Sequence, residues 1–223
     1  NLGHKDVKVL FHDGRASQDN AYGNQFNTPA EEWLPDGLTS LAAAQALFPV
    51  TSRTEMAGDP HENEVAAARR ERIDRVWPIL ARRISAITEY EPLFVAAFDD
   101  VASSADITMT HIANAIGDFV NGEWQSYSSP FDDYLRGRSD ALSKPAKVGM
   151  QLFNGKARCA SCHAGALLTD QKFYSLAMPP FGPGRTRPFD PYARDVGRMG
   201  ETDQIEDAYR FRTPSLRNVA RTG

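Results

Sequence analysis

Apolar positions in this chain recur at helical rather than strand spacing. Met109, Ile112, Ala113, Ile116, Phe119 and Val120 follow an i, i+3, i+4, i+7 pattern, and Ser103 with Asp106 has the form of a capping box ahead of them. The pattern predicts an amphipathic helix over about 105–121 that stops near Gly122. Glu64 to Arg75 is rich in alanine, glutamate and arginine, residues that lose little freedom in a helix. A further run from about Trp77 to Ile87 would turn Leu80, Ile84 and Ile87 inward, with Pro78 in its first turn, where a missing N–H costs nothing. Ser143 and Pro145 open another helix through Val148, Leu152 and Phe153, which Asn154-Gly155 closes. No segment sustains apolar/polar alternation between hairpin turns, so no substantial sheet is expected.

Two stretches break the helical pattern. Residues 177–200, with Pro179-Pro180, Gly182-Pro183-Gly184, Pro188 and Pro191, read as a long wrapping loop of the kind that covers something. The polar run from Gly122 to Pro130 separates two helical sets and marks a domain boundary, giving domains of 1–126 and 127–223 in a mainly α fold.

Composition narrows the partners. The chain has 223 residues and a formal net charge of −4, so it offers no basic surface for nucleic acid or anionic membrane. No apolar run reaches about 18 residues, and no membrane span is expected. The first residues carry no charged-then-apolar secretion signal, which leaves room for one upstream.

The chemistry lies at Cys159-Ala160-Ser161-Cys162-His163, because Cys-x-x-Cys-His is the attachment sequence of a c-type haem. Two thiols add across the porphyrin vinyl groups, and the adjacent histidine ligates the iron. A redox dithiol or half of a zinc site also uses Cys-x-x-Cys. The chain has only these two cysteines, which excludes a four-cysteine zinc site, and a dithiol does not need the histidine.

Around this motif the order Ser129-Pro130-Phe131-Asp132, Gly149-Met150-Gln151-Leu152-Phe153, then Phe211-Arg212-Thr213-Pro214-Ser215-Leu216-Arg217-Asn218-Val219-Ala220, resembles the bacterial di-haem cytochrome c peroxidases and their MauG-like relatives. Phe11-His12-Asp13-Gly14-Arg15 is similar to the family's Phe-Trp-Asp-Gly-Arg signature, with histidine at the place of a tryptophan that helps move electrons between haems. Gln45-Ala46, Pro49 and Glu55-Met56 reproduce the order and spacing of the family's glutamine and glutamate over the peroxide-binding haem. An isolated glutamate is ordinarily a solvated surface charge. The resemblance instead implies Glu55 as acid/base in O–O cleavage and Gln45 as the group that orients peroxide.

The resemblance implies two cytochrome c-like haem domains, the N-terminal one incomplete in this chain. The haem on His163 would take electrons from a small donor protein, a cytochrome c or a cupredoxin, and a second haem is expected from a motif upstream of Asn1. It also implies a periplasmic location and allows a homodimer. Thr222 matches a threonine whose carbonyl helps hold calcium between the haem domains, a fitting ligand for a hard cation. Met178 is a candidate sixth ligand to the haem on His163, while His4, His61 and His111 read as surface or structural residues. Two alternatives share these motifs: a MauG-like enzyme that oxidises tryptophan or another residue on a partner protein, and a non-enzymatic c-type electron carrier. The attachment motif predicts a covalent cofactor: haem from the purified protein should resist acid-acetone extraction and denaturation, and extractable haem would refute it.

Overall fold

The computed structural model describes residues 6–177 and 195–221. Five strands of two or three residues form its sheet content: β1 (Val9–Leu10), β2 (Ala16–Gln18), β3 (Phe26–Asn27), β4 (Phe173–Tyr174) and β5 (Phe211–Arg212). The helices are α1 (Leu41–Ala46), α2 (Glu64–Glu71), α3 (Val76–Ser85), α4 (Glu91–Ala97), α5 (Met109–Glu123), α6 (Pro130–Leu135), α7 (Lys144–Asn154) and α8 (Met199–Thr202). The fold is mainly helical, and it divides into two compact units. One comprises residues 16–123; the other comprises the described residues of 124–223 together with those of 1–15.

That division departs from a simple cut into 1–126 and 127–223. The N-terminal segment joins the later unit because its backbone is held by distant side chains. Gln171 accepts a hydrogen bond from the Lys8 N–H at 2.8 Å and donates to the Asp6 carbonyl at 2.7 Å. Arg212 donates from Nε to the Phe11 carbonyl at 2.9 Å, and its backbone N–H donates to the His12 carbonyl at 2.8 Å. Such pairings across more than 150 residues leave no trace in local composition.

In the 16–123 unit the core forms where α1 meets α5. Leu41, Ala42, Ala43 and Ala44 are buried on α1, and Ser40 caps its start by accepting from the Ala43 N–H. On α5, a Cβ at Gly117 would lie 2.7 to 2.9 Å from Ala43 atoms, so the glycine lets the two backbones approach. Asn114 on the same helix accepts from the Thr39 N–H and hydroxyl and donates to the Gly37 carbonyl, fixing the chain that leads into α1. A second cluster gathers Phe94, Val101 and Ile107, with Ile84, Phe98 and Ile112 against it. β2 pairs antiparallel with β3.

Several expected details shift. The Ser103–Asp106 capping box is present but caps a separate 3₁₀ turn, and α5 begins at Met109 and runs past Gly122 to Glu123. Its cap comes from Thr108 and His111: the Thr108 N–H donates to His111 Nδ1 at 3.0 Å, and the Thr108 hydroxyl accepts from the His111 N–H. His111 is therefore a buried structural residue, with Asp100 at 3.2 Å on Nε2 and the Phe98 ring beside it. α3 buries Val76, Trp77 and Ala81, while Ile87, beyond its last turn, is exposed. Trp33 and Trp124 are exposed, the former with the Arg72 guanidinium 3.9 Å over its ring. Within the expected loop of 177–200, Met199 begins α8. Most of that loop, with Met178, lies outside the described residues, as do His4 and Thr222.

The close approach of α1 and α5 carries a prediction. Gly117→Ala adds about 1 kcal/mol of helix propensity, yet it forces atoms into Ala43 and should destabilise the protein on balance, by about 1–3 kcal/mol for the overpacking. Urea unfolding checks this, and a Gly117→Ala variant as stable as the parent would contradict it.

Candidate haem attachment site and acid/base pair

In the later unit, α7 delivers the chain to the attachment motif. Ser143 caps α7 through the Ala146 N–H, Pro145 sits in its first turn, and the helix ends at Asn154 with Gly155 as C-cap. Arg158 takes a left-handed φ of 57° and admits a 3₁₀ turn, Cys159–Ser161. The His163 N–H then closes onto the Cys159 carbonyl at 3.0 Å, so both thiols and the imidazole sit on adjoining turns. The thiols are free and half-buried.

His163 has its ring set by the backbone. Nδ1 lies 3.1 Å from the Leu168 carbonyl, which can only accept, so the proton sits on Nδ1 and the lone pair on Nε2. Imidazoles that ligate metals are oriented in this way. Apolar surface supplies a second test of fit. α7 buries no side chain, and Val148 and Leu152 on it are exposed, as are Leu176 and Val219. Among the described residues of this unit, the buried hydrophobic side chains are Leu10, Leu167 and Val196. A unit of this size leaves its apolar helix face bare only where another apolar body covers it. Haem c fits these residues in ligand chemistry and in surface.

The segment after His163 is held by Ser215 and Arg217. Ser215 Oγ donates to the Leu167 carbonyl at 2.6 Å, and Arg217 Nε donates to the Ala166 carbonyl at 2.6 Å. The rest of the Arg217 guanidinium forms a bidentate pair with Asp132 at 2.8 and 2.9 Å, both side chains almost fully buried. Asp132 also closes a capping box on α6, accepting from the Ser129 N–H and hydroxyl, with Pro130 in the first turn. The Arg217 and Ser129 hydrogen bonds hold the Asp132 carboxyl well below the usual carboxylate range. Thr169 donates to the Thr213 carbonyl, and β4 pairs antiparallel with β5, Phe173 opposite Arg212. Tyr174 donates to Asp170 at 2.6 Å, and the carboxylate pushes the phenol up to about 12.

The Phe11–Arg15 signature is equally a structural device. Asp13 is buried and accepts from the Arg15 backbone and guanidinium, while Arg15 lies 4.1 Å over the Phe11 ring. Gly14 has φ +73°, and a Cβ there would meet Phe173 and Arg198 at 2.4 and 2.6 Å. Arg198 donates to the Asp13 and Gly14 carbonyls. His12 stacks on Phe211 and pairs with Asp195 at 2.7 Å.

Gln45 and Glu55 lie in the other unit. Gln45 is half-buried in the last turn of α1, and Glu55 is exposed on a π-helical turn, Arg53–Ala57. A 3₁₀ turn, Pro49–Thr51, joins these elements, and the N–H groups of Glu55, Met56 and Ala57 converge on the Ser52 carbonyl. Wide turns of this type are frequent at functional sites. Among the described residues, no group of three or more His, Cys, Asp or Glu side chains is placed to hold a metal ion, and no helix is long and apolar enough to cross a membrane.

Residues 2–140 match the family described as di-haem cytochrome c peroxidase. Cytochrome-c peroxidase IdrP1 of Pseudomonas sp. (strain SCT) is 35% identical over 153 residues, 60% of this chain and 40% of the relative. Methylamine utilization protein MauG of Methylorubrum extorquens is 29% identical over 209 residues, 91% of this chain and 47% of the relative. A crystal structure of a MauG-like protein associated with microbial copper homeostasis is similar with a TM-score of 0.58 and 27% identity, covering 80% of this chain and 49% of that one. The chain spans about half the length of the curated relatives it matches.

The buried pair generates a prediction. Removing one partner of a buried ion pair strands the other, so Arg217→Ala should cost about 3–5 kcal/mol. The folded Asp132 carboxyl titrates below the unfolded value of about 3.9, so its contribution is complete above that pH and is lost as pH falls below it. Asp132→Asn should therefore lower stability at neutral pH and flatten the acid limb of the stability profile. Denaturant midpoints measured from about pH 6 down to 3 check this; parallel acid limbs in variant and parent would count against it.

Proposed function

The chain belongs to the di-haem cytochrome c peroxidase family, and from that membership we propose that it forms part of a periplasmic enzyme reducing hydrogen peroxide with electrons from a small redox protein. The observation that carries this reading is the Nε2 lone pair of His163 beside two free thiols and a bare apolar helix face. Haem c held there supplies an iron that takes up and passes on electrons.

The chain's own residues do the positioning and the proton work. Cys159 and Cys162 would hold the cofactor through thioethers, and His163 would supply a ligand to its iron. The Leu168 carbonyl holds the imidazole in one tautomer and one orientation through Nδ1. Glu55 takes the proton from the inner oxygen of peroxide and returns it to the leaving oxygen. Gln45, which both donates and accepts, orients the peroxide. In support, the Glu55 carboxylate is exposed, and Met56, Ile116 and Phe119 in the same unit present uncovered apolar surface that a second haem would bury. A second reading, oxidation of a residue on a partner protein, draws on the similarity to MauG over 91% of this chain and uses the same groups.

The full-length protein should bind two haems per polypeptide by pyridine haemochrome and iron assay. In it, Glu55→Gln should keep both haem spectra while slowing peroxide turnover by about 10²-fold or more; Gln45→Ala should cost less, since proton transfer remains. One haem per polypeptide, or unchanged turnover in Glu55→Gln, would overturn the assignment. Turnover sustained by a reduced donor protein supports the peroxidase reading, and peroxide-dependent modification of a partner without such a donor supports the second.

A further inference from the structure

A cavity of about 390 Å³ opens in the 16–123 unit, lined by Thr51, Arg53, Gly58, Asp59, Arg69 and Arg70 among others. Its volume lies at the small end of the range for small-molecule sites, about 300–1,000 Å³. Three arginines and one aspartate are among the lining residues. Arg53 pairs with Asp59 at 3.0 Å, whereas among the described residues the side chains of Arg69 and Arg70 have no partner. Both arginines occupy the last turn of α2, where the helix dipole favours cations. The dipole accounts for a positive charge at that end, but it does not require two adjacent guanidiniums to line one concavity. Unmatched positive charge facing a cavity of this size is the chemistry that holds an oxyanion through charge-assisted hydrogen bonds.

We propose that this cavity binds a small, multiply charged oxyanion of phosphate-like chemistry, held by Arg69 and Arg70, with Arg53 exchanging Asp59 for the ligand. Arg53 and Ala57, the two ends of the π-helical turn, both line the cavity, so an occupant braces the turn that carries Glu55. The site does not depend on the peroxidase reading, because none of its lining residues takes part in the proposed proton transfer.

Calorimetric titration of the full-length holoprotein with inorganic phosphate, at ionic strength fixed with chloride, tests the proposal. One saturable site is expected. Arg69→Gln with Arg70→Gln should weaken it by about ten-fold or more, since two charge-assisted hydrogen bonds are lost. The thermal midpoint should stay unchanged because both side chains are exposed. Asp59→Asn should tighten binding by removing the competing carboxylate. Hydrogen exchange of amides 53–58 should slow on adding phosphate to the parent but not to the double variant. A parallel titration with glycerol phosphate distinguishes a free anion from a phosphoryl group on a small molecule, according to which binds more tightly. Absence of saturable binding of both probes, equal affinity in the double variant, or weaker binding in Asp59→Asn would overturn the proposal.

Discussion

Arg217 is the side chain on which the unit carrying the Cys-x-x-Cys-His motif turns. One guanidinium reaches the Asp132 carboxylate on α6, the Ser126 carbonyl before that helix and the Ala166 carbonyl after the attachment motif. A charge this far from water is tolerated only when its partners are complete, and here they are drawn from three separate segments. Losing one partner therefore loosens the others. The carbonyl of Leu168 that aims the His163 ring lies on the stretch whose neighbours, Ala166 and Leu167, accept from Arg217 and Ser215. The orientation of the His163 ring is thus referred back, through two peptide groups, to a buried ion pair.

The two units are stabilised in different ways. The 16–123 unit has a core of the usual kind, in which small residues on α1 and Gly117 on α5 bring two helices into close contact and larger side chains fill the flanks. The unit that carries Cys159 and Cys162 has few buried apolar side chains among its described residues and relies instead on hydrogen bonds from arginine, serine and threonine to main-chain carbonyls. Its polar lattice sets the backbone, and the haem c proposed for this unit would supply the buried hydrocarbon that its described residues lack.

The residues singled out as family motifs acquire distinct physical roles. Ser129 to Asp132 is a helix cap that doubles as half of an ion pair. Phe11 to Arg15 is a tight turn in which Gly14 makes room for Phe173 and Arg198. The cap was legible in the sequence, since serine followed three residues later by an acid before a helix is a known signature. Its second role was not, because Arg217 is 85 residues away and nothing local links the two.

Helical character, the absence of a substantial sheet among the described residues, the cap of α7 at Ser143 and the attachment motif itself all followed from the sequence, because periodicity, capping and Cys-x-x-Cys-His are encoded within a few neighbouring residues. Tertiary structure decided what depends on long-range partners. It placed the N-terminal segment with the later unit, turned His111 into a cap, left Ile87 in solvent, and put Glu55 on a π-helical turn. It also selected the protonated nitrogen of His163. A side chain's type states what bonds it is able to make; which bond forms is settled by the carbonyl or carboxylate that folding brings within about 3 Å of it.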